Sequence, residues 1–140
     1  MQQGQTISFL MKLIADRVST LFQLRADLPV TAAQGRLLMY LEARGGGPVS
    51  QRDIEQYLNV THTTAKGLLQ RLEEKGFVRT AFDSSDGRVK NSYVTEKARQ
   101  SREELSKHID AITGQMMTGL TPDEKEQLLE LLKRVYRNIK

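Results

Sequence analysis

Apolar residues recur at three- or four-residue steps along most of this chain, and breaks in that period mark where its elements begin and end. Ile7, Leu10, Ile14, Val18 and Leu21 form the first stripe, widened by Leu13 and Phe22. Such spacing lines one side of a helix, so it predicts an amphipathic helix of roughly 20 residues ending before Asp27-Leu28-Pro29. Thr31 followed by Gln34 reads as a capping box opening a second helix, with Leu37, Leu38 and Leu41 on its buried side. Gly45-Gly46-Gly47-Pro48 stops it, since neither residue type sustains a helix interior.

Ser50 with Asp53 reads as a second capping box, starting a short helix whose inner side holds Ile54 and Leu58. Asn59-Val60 makes a tight turn. Thr61 is then the N-cap of a helix running through Thr64, Leu68, Leu69 and Leu72 to Lys75-Gly76. Two helices joined by so short a turn form a helix-turn-helix. After Gly76 the period changes: residues 77–82 and 89–94 are rich in strand formers, and the turn formers Asp83-Ser84-Ser85-Asp86-Gly87-Arg88 lie between them. Standing directly behind a helix-turn-helix, this hairpin is expected to be a DNA-contacting wing; the alternative is an ordinary surface hairpin. Thr95 caps a long helix to about Gly119, with apolar steps at Leu105, Ile109, Ile112 and Met116. Thr121-Pro122-Asp123-Glu124 opens the last helix, which carries Leu128, Leu131, Leu132, Val135, Tyr136 and Ile139.

Composition changes this picture in three places. Aromatic residues make up 6% of the 140 and tryptophan is absent, which argues against stacking platforms for single-stranded nucleic acid. The net charge of +4 permits an anionic partner, yet residues 50–95 carry seven Lys/Arg against six acids. If that segment binds DNA, its cations must be segregated onto one face. The absence of cysteine excludes disulfides, thiolate zinc sites and thiol-based peroxide sensing within this chain. No signal-peptide pattern and no apolar run of bilayer length is present, so a soluble cytoplasmic protein is expected, without membrane partners.

The order helix, helix, helix-turn-helix, hairpin and two terminal helices resembles the MarR family of bacterial transcription regulators over essentially the whole chain. The local matches are Ser50-Gln51-Arg52-Asp53-Ile54 through Leu72-Glu73-Glu74-Lys75-Gly76-Phe77-Val78, and Asp83-Ser84-Ser85-Asp86-Gly87-Arg88 followed by Val94-Thr95-Glu96-Lys97-Ala98. The second is similar to the family wing, where Asp-x-x-Asp-x-Arg leads into Leu-Thr-Glu-Lys-Gly. Ser84 stands here where proline is common, Val94 replaces the leucine and Ala98 the glycine; none of these changes removes a charged contact. The fold class expected is mainly α with a small β-hairpin wing. Residues 1–30 would form an N-terminal helix contributing to dimerisation, 31–95 the winged helix-turn-helix, and 96–140 the C-terminal dimerisation helices.

The major groove of duplex DNA accepts one helix, and the helix from Thr61 to Lys75 is the expected reader. With its leucines inward, His62, Thr63, Lys66, Gly67, Gln70 and Arg71 project outward. Gln70 suits adenine edges and Lys66 or Arg71 guanine edges; Gly67 lets the backbone approach. A merely solvated helix face is the alternative. Ser50, Gln51 and Arg52 open the preceding helix, where backbone N–H groups favour a phosphate. By resemblance, Arg88 reaches the minor groove from the wing tip, with Asp86 orienting it, rather than forming a simple Asp-Arg turn pair. Lys90 is a phosphate contact.

So small a winged domain cannot bury three long amphipathic helices alone, so a homodimer is expected, although intramolecular packing must use some of the same residues. The resemblance implies interleaved terminal helices across a two-fold axis and a pseudo-palindromic operator. It also implies a small aromatic or phenolic effector between the dimerisation helices and the reading domain. Phe9, Leu13, Arg17, Met39 and Tyr40 are the residues located to line such a site, with core packing as the alternative for each. Catalysis is not expected: His62 and His108 lie in different helices, no nucleophile–base pair or phosphate-cradling loop appears, and no cofactor or metal site is indicated. The rival reading is a winged-helix protein-interaction module or antirepressor that does not bind DNA.

Overall fold

The computed structural model describes residues 6–24 and 29–140. Helix α1 (Ile7–Gln23) starts where the Thr6 hydroxyl accepts the Phe9 N–H at 3.1 Å. Its 17 residues end at the Leu24 cap, and the stop expected at Asp27-Leu28 lies outside the described residues. Helix α2 (Ala32–Ala43) has the full capping box: Thr31 Oγ1 accepts from the Gln34 N–H and Gln34 Oε1 from the Thr31 N–H.

Strand β1 (Val49–Ser50) leads into α3 (Gln51–Leu58), α4 (His62–Glu74), β2 (Val78–Phe82), β3 (Lys90–Val94), α5 (Glu96–Met116) and α6 (Pro122–Ile139). The chain is thus mostly helical with a small three-stranded antiparallel sheet in the order β1-β3-β2. Strand β1 was not expected from sequence; two residues leave no period to read. It pairs Val49 with Ser92, turning the hairpin into a sheet anchored to the helix-turn-helix. The glycine run is also more than a stop. Gly47 sits at φ +112°, and a Cβ there would lie 2.5 Å from the Ser92 carbonyl, so backbone passes backbone at contact distance. Gly46 accepts the Val94 N–H at 2.9 Å, completing that seam.

One expectation is corrected. Ser50 does cap α3, accepting the Asp53 N–H at 3.1 Å, but the reciprocal half of a capping box is missing. Asp53 is one methylene shorter than the Glu or Gln that returns this bond, and its carboxylate instead lies 3.8 Å from Arg44.

Leu37, Leu41, Ile54 and Leu72 are completely buried, and one hydrophobic cluster runs from them to Phe22 of α1 and to Leu105 and Ile112 of α5. This cluster spans the boundaries expected near residues 30 and 95. Leu105, Ile109 and Ile112 therefore pack within the chain. The α1 stripe divides: Val18, Leu21 and Phe22 join the core, whereas Ile7, Leu10, Leu13 and Ile14 stay exposed. Helix α6 has no buried residue at all, and Leu131, Leu132, Val135, Tyr136 and Ile139 are all exposed.

Candidate nucleic-acid interface

The turn between α3 and α4 depends on Asn59, which caps α3 in the left-handed region at φ 52°. Asparagine tolerates this conformation better than most residues because its short side chain bonds locally. Thr61 then caps α4, its hydroxyl accepting the Thr64 N–H at 3.2 Å. Ala65, Leu68, Leu69 and Leu72 are buried and set the rotation of α4 about its own axis. With that face fixed, His62, Thr63, Lys66, Gln70 and Arg71 are exposed and Gly67 is half-buried. Ser50 and Thr61 spend their hydroxyls on caps, and Arg52 is exposed at the start of α3.

Gln51, Lys66, Gln70 and Lys90, from α3, α4 and β3, line one open groove of about 600 Å³. The backbone thus gathers four of the residues chosen from sequence on three separate elements. Glu73, Glu74 and Thr80 also line it and were missed. Glu73 Oε2 accepts from the Thr80 hydroxyl at 2.8 Å, tying the reading helix to the wing. Nothing local in the sequence signals this bond. A second tie joins α3 to α4: His62 Nδ1 lies 2.9 Å from Gln51 Nε2 and 3.3 Å from Glu55 Oε2. The amide needs Nδ1 as acceptor and the carboxylate needs it as donor, so the ring serves one partner at a time. His62 and Gln51 thus brace the two helices as well as facing outward.

The wing turn is built by its own side chains. Asp83 Oδ1 accepts from the Ser85 N–H at 2.8 Å and the Ser85 hydroxyl at 2.7 Å, while Asn91 Nδ2 donates to Oδ2 at 3.3 Å. The Ser85 hydroxyl and N–H, then Asn91, hold the Asp83 carboxyl below its ordinary pKa. A depressed carboxylate stabilises the turn above the ordinary aspartate value, about 3.9, and that contribution is lost as pH falls through the lower folded value. Titrating the protein downward through this acid window should therefore shift the NMR signals of the Ser85 amide and the Asn91 side-chain amide together. If they stay fixed while the Asp83 carboxyl signal moves, these bonds do not hold the turn.

Arg88 projects from the turn with its side chain 93% exposed. Asp86 Oδ1 accepts from both the Arg88 N–H at 3.1 Å and its Nε at 3.2 Å, leaving the two terminal nitrogens free to point outward. Arg79, which the sequence did not single out, lies 4.1 Å over the Tyr93 ring at the wing base. Among the described residues no group of three or more His, Cys, Asp or Glu could hold a metal ion, and no helix is long and apolar enough to cross a membrane.

The five effector-site residues are not gathered within the chain. Tyr40 stacks on Tyr57 with centroids 4.0 Å apart and accepts from Arg44 Nη1 at 2.7 Å, while Phe9, Leu13, Arg17 and Met39 are exposed. The cavity between α1, α2 and α5, about 120 Å³, is lined instead by Val18, Phe22, Ala32, Arg36, Ile109 and Ile112, among others.

Residues 27–89, a segment that includes α2, the helix-turn-helix, β2 and the wing turn, match a sequence model described as MarR family. The HTH-type transcriptional regulator YybA of Bacillus subtilis is 29% identical over 113 residues, covering 81% of this chain and 74% of that protein. A crystal structure of the S. aureus MepR–DNA complex superposes with TM-score 0.88 at 27% identity, covering 97% of this chain and 99% of that one. The helix-turn-helix and wing segment of this chain is therefore similar to the MarR family. The chain as a whole has the winged-helix fold of these transcriptional regulators. A third relative of similar fold is Bordetella bronchiseptica BpsR, at TM-score 0.84 and 25% identity over 97% of this chain and 96% of that one. That structure concerns regulation of DNA binding by 6-hydroxynicotinic acid. The matched segment contains the groove residues of α3 and α4 together with Asp86 and Arg88; Lys90 falls just beyond it.

Proposed function

We propose that this chain is a repressor that binds a pseudo-palindromic operator as a homodimer and is released by a small aromatic ligand. One observation carries the DNA contacts: Lys66 and Gln70 of α4 share a single groove with Gln51 and Lys90, and none of these four is needed in the core. In this reading Lys66, Gln70 and Arg71 face base edges in the major groove. Thr63 and His62 lie near the helix start, Gly67 lets the backbone approach, and Ser50, Gln51, Arg52 and Thr61 sit where helix N-termini meet phosphates. Arg88, oriented by Asp86, enters the minor groove and Lys90 takes a phosphate.

The bare apolar faces of α1 and α6 support the dimer, which would seat two reading helices on half-sites one turn of DNA apart. A ligand releases the operator only if it binds one spacing of the two reading helices more tightly than the other. The BpsR relative supports such regulation. The cavity between α1, α2 and α5 gives a ligand a starting point at the junction of those parts; Phe9, Leu13, Arg17, Met39 and Tyr40 would join a site only if the second copy brings them together. The action is binding alone, without a catalytic step or cofactor, and it takes place in the cytoplasm.

The test is a titration of duplexes from the regulator's own genomic neighbourhood at several salt concentrations. Arg88→Ala should bind the specific duplex between about 10- and 100-fold more weakly, and the slope of log K against log salt should fall by about one. Binding absent from every such duplex, or insensitive to salt, would remove DNA as the partner and leave a protein-interaction module.

A further inference from the structure

We propose that Phe82 is a further DNA contact, its ring packing on the deoxyribose edge of the minor groove beside Arg88. The inference rests on the wing reading given above and adds an apolar term to it. Strand β2 pairs with β3 in antiparallel register, with Phe82 opposite Lys90 on the last rung before the turn. Alternate side chains of a strand share a face, so Val78, Thr80 and Phe82 point the same way. Val78 is buried in the core, and Thr80 lines the groove and donates to Glu73 of α4. Phe82 is then roughly 7 Å farther out along the same face, where the wing extends past its contact with the reading helix.

Of the chain's four phenylalanines Phe82 is the most exposed, at 67%, and its ring makes no stacking or cation contact among the described residues. Phe22 and Phe77 are core residues, and Phe9 belongs to the uncovered apolar face of α1. Phe82 belongs neither to the core nor to that face: Lys90 stands opposite it across the hairpin and Asp83 follows it in the chain. The two acids of the turn are engaged internally, Asp83 by Ser85 and Asn91 and Asp86 by Arg88. Asp83 keeps its negative charge in those bonds and Asp86 and Arg88 offset each other, so the cation standing opposite the ring is Lys90. Sugar C–H groups flanked by phosphates, the lining of a minor-groove wall, match an exposed aromatic ring with a lysine opposite it. Duplex DNA is therefore the partner this part of the wing fits.

The experiment compares wild type, Phe82→Ala, Phe82→Leu and Arg88→Ala on the same specific duplex across a salt series, with hydroxyl-radical footprints of each complex. Phe82→Ala should bind about tenfold more weakly, the effect of leaving much of a phenyl ring unburied, with the salt slope unchanged because no phosphate contact is lost. Phe82→Leu should recover most of the affinity. Minor-groove sugars protected by the wild-type wing should become open to cleavage in Phe82→Ala. Thermal melting should match wild type, since the ring supports nothing in the fold. Wild-type affinity and an unchanged footprint in Phe82→Ala, alongside weakened Arg88→Ala, would overturn this inference and leave the regulator reading intact. Wild-type protein that binds no duplex would overturn both.

Discussion

Leu132→Glu combined with Val135→Glu is expected to give a monomer whose affinity for the full operator falls by roughly 10²–10⁴, the range lost when two linked binding sites act separately. Helix α6 is well specified at its start, with the Thr121–Glu124 capping box closed at 3.1 and 2.9 Å and Pro122 in the first turn. Yet an isolated helix of its 18 residues is only marginal in water without a packed face, and this one has no buried residue. Its exposed stripe of Leu131, Leu132, Val135, Tyr136 and Ile139 offers that face, as do Ile7, Leu10 and Ile14 on α1. Fully burying one such side chain contributes about 1.5–3 kcal/mol, so these faces of α1 and α6, buried together on both copies, outweigh an association cost of about 4–15 kcal/mol. A glutamate at their centre would lose that burial and set an unpaired charge in the interface. Sedimentation equilibrium should show half the wild-type mass, and a single half-site duplex should bind the variant and wild type alike. A wild-type chain that sediments as a monomer, or a double variant that stays dimeric, would refute the arrangement.

How much of this was legible beforehand depended on the range of each interaction. The Thr31 and Thr61 caps and the Thr95 start of α5 were readable because a cap joins residues only three positions apart. The inward leucines of α2 and α4 and the change to strand after Gly76 were readable for the same reason, since period is a local property. Bonds spanning the fold left no such trace. The Glu73–Thr80 tie, the His62–Gln51–Glu55 brace and the 2.7 Å bond from Lys75 Nζ to Gln34 Oε1 across 41 positions require the tertiary fold to exist first. The effector residues show the weakness of choosing by position along the chain. Tyr40 lies near the expected junction, but Tyr57 occupies its ring face. Net charge was equally uninformative about the groove, where Lys66 and Lys90 face the same space as Glu73 and Glu74.

Leu72→Ala is expected to cost about 3 kcal/mol of folding stability, within the 2–5 kcal/mol typical of a fully buried leucine. Its side chain is completely inaccessible and belongs to the cluster that includes Leu37, Leu41 and Ile54. Its carbonyl also accepts the Phe77 N–H at 2.9 Å where the chain leaves α4 for the wing. Because domains of this size retain only about 5–15 kcal/mol in all, one truncation removes a large share. Urea unfolding followed by circular dichroism should show a lower midpoint with the slope preserved. Both proteins must be compared at one protomer concentration, since dimer stability depends on it. Gln70→Ala, two positions earlier on the exposed side, should change stability by less than about 0.5 kcal/mol yet weaken specific DNA binding. The pair separates the two faces of one helix, with the inner face deciding whether α4 exists and the outer face deciding what it reads. A Leu72→Ala cost under about 1 kcal/mol, or a Gln70→Ala cost equal to it, would mean that α4 is rotated from the position described.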